Sequence, residues 1–380
     1  MNRYQRPFVS EAFCSKADWP MAGRKIISTI FTLMLVLCLA PQPTWAEDYV
    51  HFNWQRVADG VWFGVTRPNS FQTGNTVIIQ LPGSGSLVVD SHNSEYLAAE
   101  IIAKVKEVAP GPVRYLVNTH LHQDHVGGNN AFRKAFPKVE IIAHRNTCWG
   151  IPDKTIPRMK VRVDPMVRQL DDMRKARATA AEAGRDTAEL DRRIAGTSLY
   201  LEDTKSFEWV MPTTCLNFSP GQARTITAGN RKIEIRYLGR GHTAGDLLVY
   251  LPKEKVLAMG DLWSEGGDLL LNSGLDGRDG SVLDVPTTLR AIKKLDFDVA
   301  LPGHRAMISG KASLDLAIAN SEKFNAQILE SHLRGETIEE ALQKMPSPTP
   351  QMATAWNRAV ILGFEELELR KQFGTLPRQK

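Results

Sequence analysis

The sequence predicts a mixed α/β (α+β) fold, on three observations. Short runs rich in Val, Ile, Leu and aromatic residues, bounded by Gly, Pro and Asn, recur between about 60 and 145 and again between about 232 and 301. A charged stretch of helical character, 166–195, stands between the two groups, and beyond 310 the pattern is helical throughout. Two β-rich halves thus flank an insertion and precede a helical extension.

In the first half, Val61–Val65, Thr76–Gln80, Ser86–Asp90, Tyr115–Asn118 and Val139–Ala143 read as strands. Pro82-Gly-Ser-Gly85 lies between two of them and reads as a hairpin turn. No helical pattern follows those glycines, so a phosphate-cradling loop is set aside. Tyr96–Val108 reads as a helix, with Leu97, Ile101, Ile102, Val105 and Val108 on one face. Within 166–195, Gly184 splits a run rich in Ala, Arg, Asp and Glu into a helical hairpin. Its apolar positions, such as Leu170, Met173, Leu190 and Ile194, are sparse, which favours a solvated insertion over a lid or dimer contact. The second half offers Lys232–Leu238, Leu247–Leu251, Val256–Met259 and Val299–Leu301 as strands. In the extension a helix over Leu314–Leu333 ends at Gly335, and Thr337-Ile-Glu-Glu340 has capping-box spacing. Pro346-Ser-Pro-Thr-Pro350 then breaks the chain before a last helix to about Gln372.

With 380 residues, 43% hydrophobic and 23% charged, the chain is neither disordered, collagen-like nor membrane-embedded in composition. Its formal charge of +5 invites an anionic partner, so the excess must be located. From Met21 the chain reads as a secretory signal: Arg24-Lys25, an apolar run Ile26–Ala40, then small residues at Thr44 and Ala46. The apolar run falls short of the roughly 20 residues that cross a bilayer, which disfavours an uncleaved anchor. Translation is expected to start at Met21 and cleavage to follow Ala46. Removing residues 1–46 leaves 42 basic and 40 acidic residues, a balance of +2. The expected product is therefore periplasmic or secreted, with no nucleic-acid partner and no stable membrane insertion after cleavage. The expected domains are 1–46 as leader, 47–310 as catalytic domain carrying the insertion, and 311–380 as helical extension. Cys148 and Cys215 remain in the mature chain. In an oxidising compartment they either pair, stabilising the fold by ~2–4 kcal/mol, or stay as buried thiols, and sequence leaves both open.

The chemistry concentrates in Thr119-His120-Leu121-His122-Gln123-Asp124-His125-Val126-Gly127-Gly128, directly after a predicted strand. Side chains at i and i+2 of an extended segment point the same way, so His120 and His122 can grip one metal ion while Asp124 and His125 face another. Imidazoles crowded together without a cation offer no packing advantage. Three later segments also follow predicted strands: Gly241-His242-Thr243-Ala244-Gly245-Asp246, Gly260-Asp261 and Gly303-His304. Their small residues let backbone and metal approach closely. Together they complete a ligand set.

With these motifs the sequence resembles the metallo-β-lactamase superfamily over about residues 55–308, a group that includes hydroxyacylglutathione hydrolases, lactonases, metallo-β-lactamases and persulfide dioxygenases. The resemblance implies a four-layer αββα sandwich with metals at one edge of its two sheets. It implies that His120, His122 and His242 hold the first metal, that Asp124, His125 and His304 hold the second, and that Asp261 bridges them. Asp90 matches an acidic position that the family uses to support ligands, and Thr243 beside His242 is expected to support the same site. Asp261 stands where some relatives carry a cysteine, which brings the set nearer to hydroxyacylglutathione hydrolases and lactonases.

Five imidazoles and two carboxylates without a thiolate suit Zn²⁺ and also permit iron or manganese. Two such ions sharing a water lower its pKa toward ~7, providing hydroxide to attack an ester, thioester, lactone or lactam carbonyl of a small-molecule substrate. Asp124 and Asp261 are the expected catalytic carboxylates, Asp124 orienting the hydroxide. The rival readings are a mono-iron dioxygenase acting on persulfides, which the second ligand set disfavours, and a non-enzymatic metal-binding module. Nuclease activity is disfavoured by export and by the balance of +2. Neither the substrate nor the oligomeric state follows from the sequence.

Overall fold

The computed structural model describes residues 51–67, 74–205, 207–265 and 280–374. The leader, with its start at Met21 and cleavage after Ala46, lies outside the described residues. Thirteen described strands form two sheets. The first has seven strands in sequential order: β1 (Phe52–Ala58), β2 (Val61–Thr66), β3 (Thr76–Leu81), β4 (Gly85–Val89), β5 (Val113–Val117), β6 (Glu140–His144) and β7 (Thr214–Leu216). Its first four strands are antiparallel and the remainder parallel. The second has six, comprising β8 (Ala223–Ala228), β9 (Arg231–Tyr237), β10 (Leu247–Leu251), β11 (Val256–Gly260), β12 (Val299–Pro302) and β13 (Ile308–Ser309), in the order β13-β12-β11-β10-β9-β8.

The layering follows from the two-residue period of a strand. In β3, Val77 and Ile79 enter the core between the sheets while Ile78 faces outward, and in β4 Leu87 and Val89 face inward while Val88 does not. In β10 and β11, Leu247, Val249, Leu251, Val256 and Ala258 meet that core from the other side. Their alternates Leu248, Tyr250, Leu257 and Met259 point away. Strands with both faces covered have no polar face, which is why they read as unbroken apolar runs.

Helices cover the outer faces. Helix α1 (Glu95–Val108) sets Ala98, Ile101, Ile102 and Val105 against Ile78, Val88, Leu116 and Ile141. Its N-cap Ser94 accepts a hydrogen bond from Leu97 N. Two short helices, α2 (Gln123–Val126) and α3 (Asn129–Ala135), follow β5, and α4 (Arg145–Gly150) follows β6. On the second sheet, α7 (Val285–Lys293) and α8 (Ala312–Leu333) bury Leu289, Ile292, Leu314 and Ala317 against Leu248 and Met259. The result is the expected αββα order, with α9 (Ile338–Lys344) and α10 (Ala353–Gln372) added beyond it. The capping box at Thr337 and Glu340 is formed.

The insertion is a helical hairpin, as predicted, but longer than 166–195. It consists of α5 (Ile156–Glu182) and α6 (Ala188–Lys205). Pro157 sits in the first turn, where its missing N–H carries no penalty, and Pro165 is accommodated inside α5. Pro157 therefore stands at the start of the helix, and Pro165 does not interrupt it. Leu170, Met173 and Leu201 bury a small core of the hairpin's own. Cys148 and Cys215 are joined as a disulfide. Among the described residues no helix is long and apolar enough to cross a membrane.

Candidate metal centre

Four segments deliver the ligand side chains to one edge of the sandwich, each following a strand. Past β5 the chain does not stay extended but bends at His120, Leu121 and His122, and His122, with φ −67° and ψ 147°, caps α2. His120 and His122 therefore meet across a bend, with ring nitrogens 3.0 Å apart. Asp124 and His125 are carried around the first helical turn. His242 lies on the loop after β9, Asp261 directly after β11, and His304 just after β12. Backbone hydrogen bonds fix this edge: Leu247 N donates to Thr119 O across the sheets (2.8 Å), Asn75 N to Gly303 O (2.7 Å) and Gly303 N to Gly260 O (2.8 Å).

Two groups result. His120, His122, His242 and Asp261 converge in one, and Asp124, His125 and His304 in the other. His122 Nδ1 lies 3.0 Å from both His120 Nε2 and His242 Nε2. Asp261 stands between the groups, with Oδ2 at 3.6 Å from His120 Nε2, 3.4 Å from His242 Nε2 and 3.1 Å from His304 Nε2. Its Oδ1 lies 3.5 Å from His125 Nε2. Asp124 Oδ2 is 3.3 Å from His304 Nε2 and 3.7 Å from His125 Nε2.

Around them, Asp90 is buried and accepts hydrogen bonds from Thr119 N (2.7 Å) and Thr119 Oγ1 (2.8 Å), with His125 Nδ1 at 2.8 Å. It fixes the ring of His125 from behind, leaving Nε2 toward the cluster. Its φ of 63° is rare for a non-glycine residue and turns the carboxylate back under the loop. Thr243 acts on the loop rather than on a ring. Its N and Oγ1 both donate to Asp246, the latter at 2.6 Å, and its Oγ1 accepts from Gly245 N at 3.1 Å.

Charge within the cluster is paired, carboxylates against imidazoles. Burial works against ionisation of Asp261, yet the imidazoles of His304, His125 and His120 hold its carboxyl well below the usual range. Asp124 is likewise lowered, with burial opposed chiefly by His125 and His304. Burial opposes a proton on His304, but Asp261 and Asp124 override it and push the ring up to about 10. Burial, reinforced by neighbouring rings, keeps His120 well below the ordinary imidazole value. These ionised carboxylates favour positive charge beside them.

One further observation tests whether a metal ion suits the site. His125 Nε2 and Asp261 Oδ1 are fully buried and have no hydrogen-bond partner among the described residues. Leaving such atoms unsatisfied costs about 1–3 kcal/mol each, and a cation between them removes the penalty. The residues present fit divalent metal.

The sequence reading did not assign Asp246, which braces Thr243, or Asn75, whose Nδ2 donates to Pro302 O (2.9 Å) and joins the sheets under His304. It also gave no role to His51 and His92, a buried pair with Nε2 atoms 3.0 Å apart. Beside His242 opens a cavity of about 840 Å³, whose floor includes Gly241, Leu262 and Val285 and whose far wall is formed by Ile338, Phe364 and Leu369.

The family model for the metallo-beta-lactamase superfamily matches residues 70–210 and 220–304, more than half of the chain. The protein belongs to the metallo-β-lactamase superfamily. A metallo-β-lactamase from Pseudomonas aeruginosa in its mono-zinc form is 18% identical, with a TM-score of 0.50, covering 72% of this chain and 96% of that one. One from Erythrobacter litoralis is also 18% identical, with a TM-score of 0.49, covering 72% and 98%. A hydroxyacylglutathione hydrolase from Thermosynechococcus vestitus is 30% identical over 93 residues, which make up 24% of this chain. That match spans about a third, 35%, of the relative's length.

Proposed function

We propose that the protein is an exported, binuclear, zinc-dependent hydrolase of a small carbonyl compound: an ester, thioester, lactone or β-lactam. The observation that carries this reading is the pair of converging ligand groups with Asp261 between them. His120, His122 and His242 would hold one ion, Asp124, His125 and His304 the other, and Asp261 both. Nitrogen and oxygen donors without thiolate suit Zn²⁺, with iron or manganese as permissible occupants. Ions bound here would supply Lewis acidity, polarising a carbonyl oxygen and lowering the pKa of water from 15.7 toward ~7.

The protein's own groups do the positioning. Asp124, with 26% of its side chain exposed against 5% for Asp261, stands at the mouth of the cluster. Held ionised by His125 and His304, it is an acceptor only and orients an attacking water by taking its hydrogen bond. Asp90 keeps His125 in one orientation, and the Asp246–Thr243 pair does the same for the loop of His242. The cavity beside His242 is in the size range of small-molecule pockets and takes the body of the substrate. Export is supported by the apolar run Ile26–Ala40 and by the disulfide, since disulfides are rare in reducing compartments.

The test is a parallel screen of the zinc-loaded mature protein against β-lactams, lactones, esters and thioesters. Turnover of at least one class is expected, lost on chelation and restored by zinc. No turnover of any class at full metal occupancy would instead indicate a non-enzymatic metal-binding module.

A further inference from the structure

The loop carrying His242 is held from outside its own sheet by α4. Asn146 Nδ2 donates to Ala244 O at 2.7 Å, and Thr147 Oγ1 donates to Gly245 O at 3.2 Å. Tyr237 Oη donates to the same Ala244 carbonyl at 3.1 Å, and the Tyr237 ring stacks on His144, the residue that caps α4, with centroids 4.2 Å apart. The approach is close: a Cβ on Gly245 would stand 2.6 Å from Thr147 Oγ1 and 2.9 Å from Thr147 N. Any shift of α4 is therefore transmitted to backbone two and three residues past His242.

Helix α4 has only six residues. Its N-terminal end is anchored by β6, but from its C-terminal end the chain leaves through a π-helical turn into the long hairpin α5–α6. The second anchor is Cys148, in the middle of α4, bonded to Cys215 of the edge strand β7 across a sequence separation of 67 residues. The closed loop contains the whole hairpin. Cys215 in turn pairs with Ala143 of β6, so the disulfide returns α4 to the same sheet from which it departs.

We propose that the Cys148–Cys215 disulfide, with Asn146 and Thr147, is a positioning device for the His120/His122/His242 site. It fixes α4 so that the two side chains hold the carbonyls that set the His242 loop. The inference rests on the reading of His242 as a metal ligand. It makes one metal site, and not the other, dependent on an oxidised disulfide.

The experiment measures Zn²⁺ affinity at both sites of the full mature chain by chelator competition, with Co²⁺ absorption as a second readout of the ligand field. The oxidised protein is compared with the Cys148→Ser/Cys215→Ser double variant and with Asn146→Ala, in which the disulfide is intact. Partners that orient a metal ligand are worth about 10–100-fold in affinity. One of the two affinities is expected to fall by that factor in both variants, with a changed Co²⁺ spectrum, while the other stays constant. If the double variant does not fold, the same affinities measured on the folded protein after reduction of the Cys148–Cys215 bond and alkylation of the two thiols take its place beside Asn146→Ala. A lowered melting temperature with both affinities and the spectrum unchanged would reduce the disulfide to a plain staple of the hairpin and overturn the proposal. Oxidised protein that binds no metal at all would remove the underlying reading of the site, and the inference with it.

Discussion

Gly303 determines how closely the two halves of the cluster meet. A Cβ at this position would lie 2.1 Å from Asp261 Oδ1 and 2.8 Å from His125 Cε1, two groups with one atom each left unsatisfied among the described residues. Gly303→Ala is expected to push Asp261 from between the ligand groups and to weaken metal binding by about 10–100-fold, the range for groups that orient ligands. Metal content after dialysis, read beside far-UV circular dichroism, checks this. Retained metal in a folded variant would show that Asp261 does not need its present position. At this scale the ligands were legible because their spacing is local: His120, His122, Asp124 and His125 crowd into one short segment directly after β5, and His242, Asp261 and His304 each follow a strand end. Asp246 was not, because its value lies in hydrogen bonds to Thr243 that exist only once the loop closes. His51 and His92 were not, because one buried imidazole in a sequence looks like any other.

Among the elements, the strands that the sequence reading missed are β1, β7, β8 and β13, and these are the four sheet edges. An edge strand is covered less completely, so its apolar signal is diluted: β8 reads Ala-Arg-Thr-Ile-Thr-Ala, and β7 is three residues long. The central strands, covered on both faces, were found within one or two residues of their ends. Helix α8 begins the predicted extension, yet its first turns share a core with the second sheet. Leu314 is fully buried beside Leu289, Ile292 and Trp263. Leu314→Ala is expected to destabilise the protein by about 2–5 kcal/mol, measured by urea denaturation. A cost near zero would mean that α8 packs loosely and lies outside the core of the sandwich.

For the whole molecule, the four-layer architecture followed from motifs more than from periodicity. Alternating apolar patterns gave two β-rich halves, but nothing local stated that they stack face to face. That arrangement came from the family resemblance that the metal motifs carry, and the two sheets do meet at the edge where those motifs lie. The excess charge of the full chain resided largely in its first 46 residues and said little about the partner of the mature protein. The central claim is that this edge holds two metal ions serving hydrolysis. Metal analysis of the mature protein purified without added metal, followed by zinc titration with the turnover assay running, tests it most directly. The account predicts two ions per chain, with hydrolysis reaching its maximum only when the second is bound. A single iron per chain, with oxygen consumed as substrate is added, would contradict it.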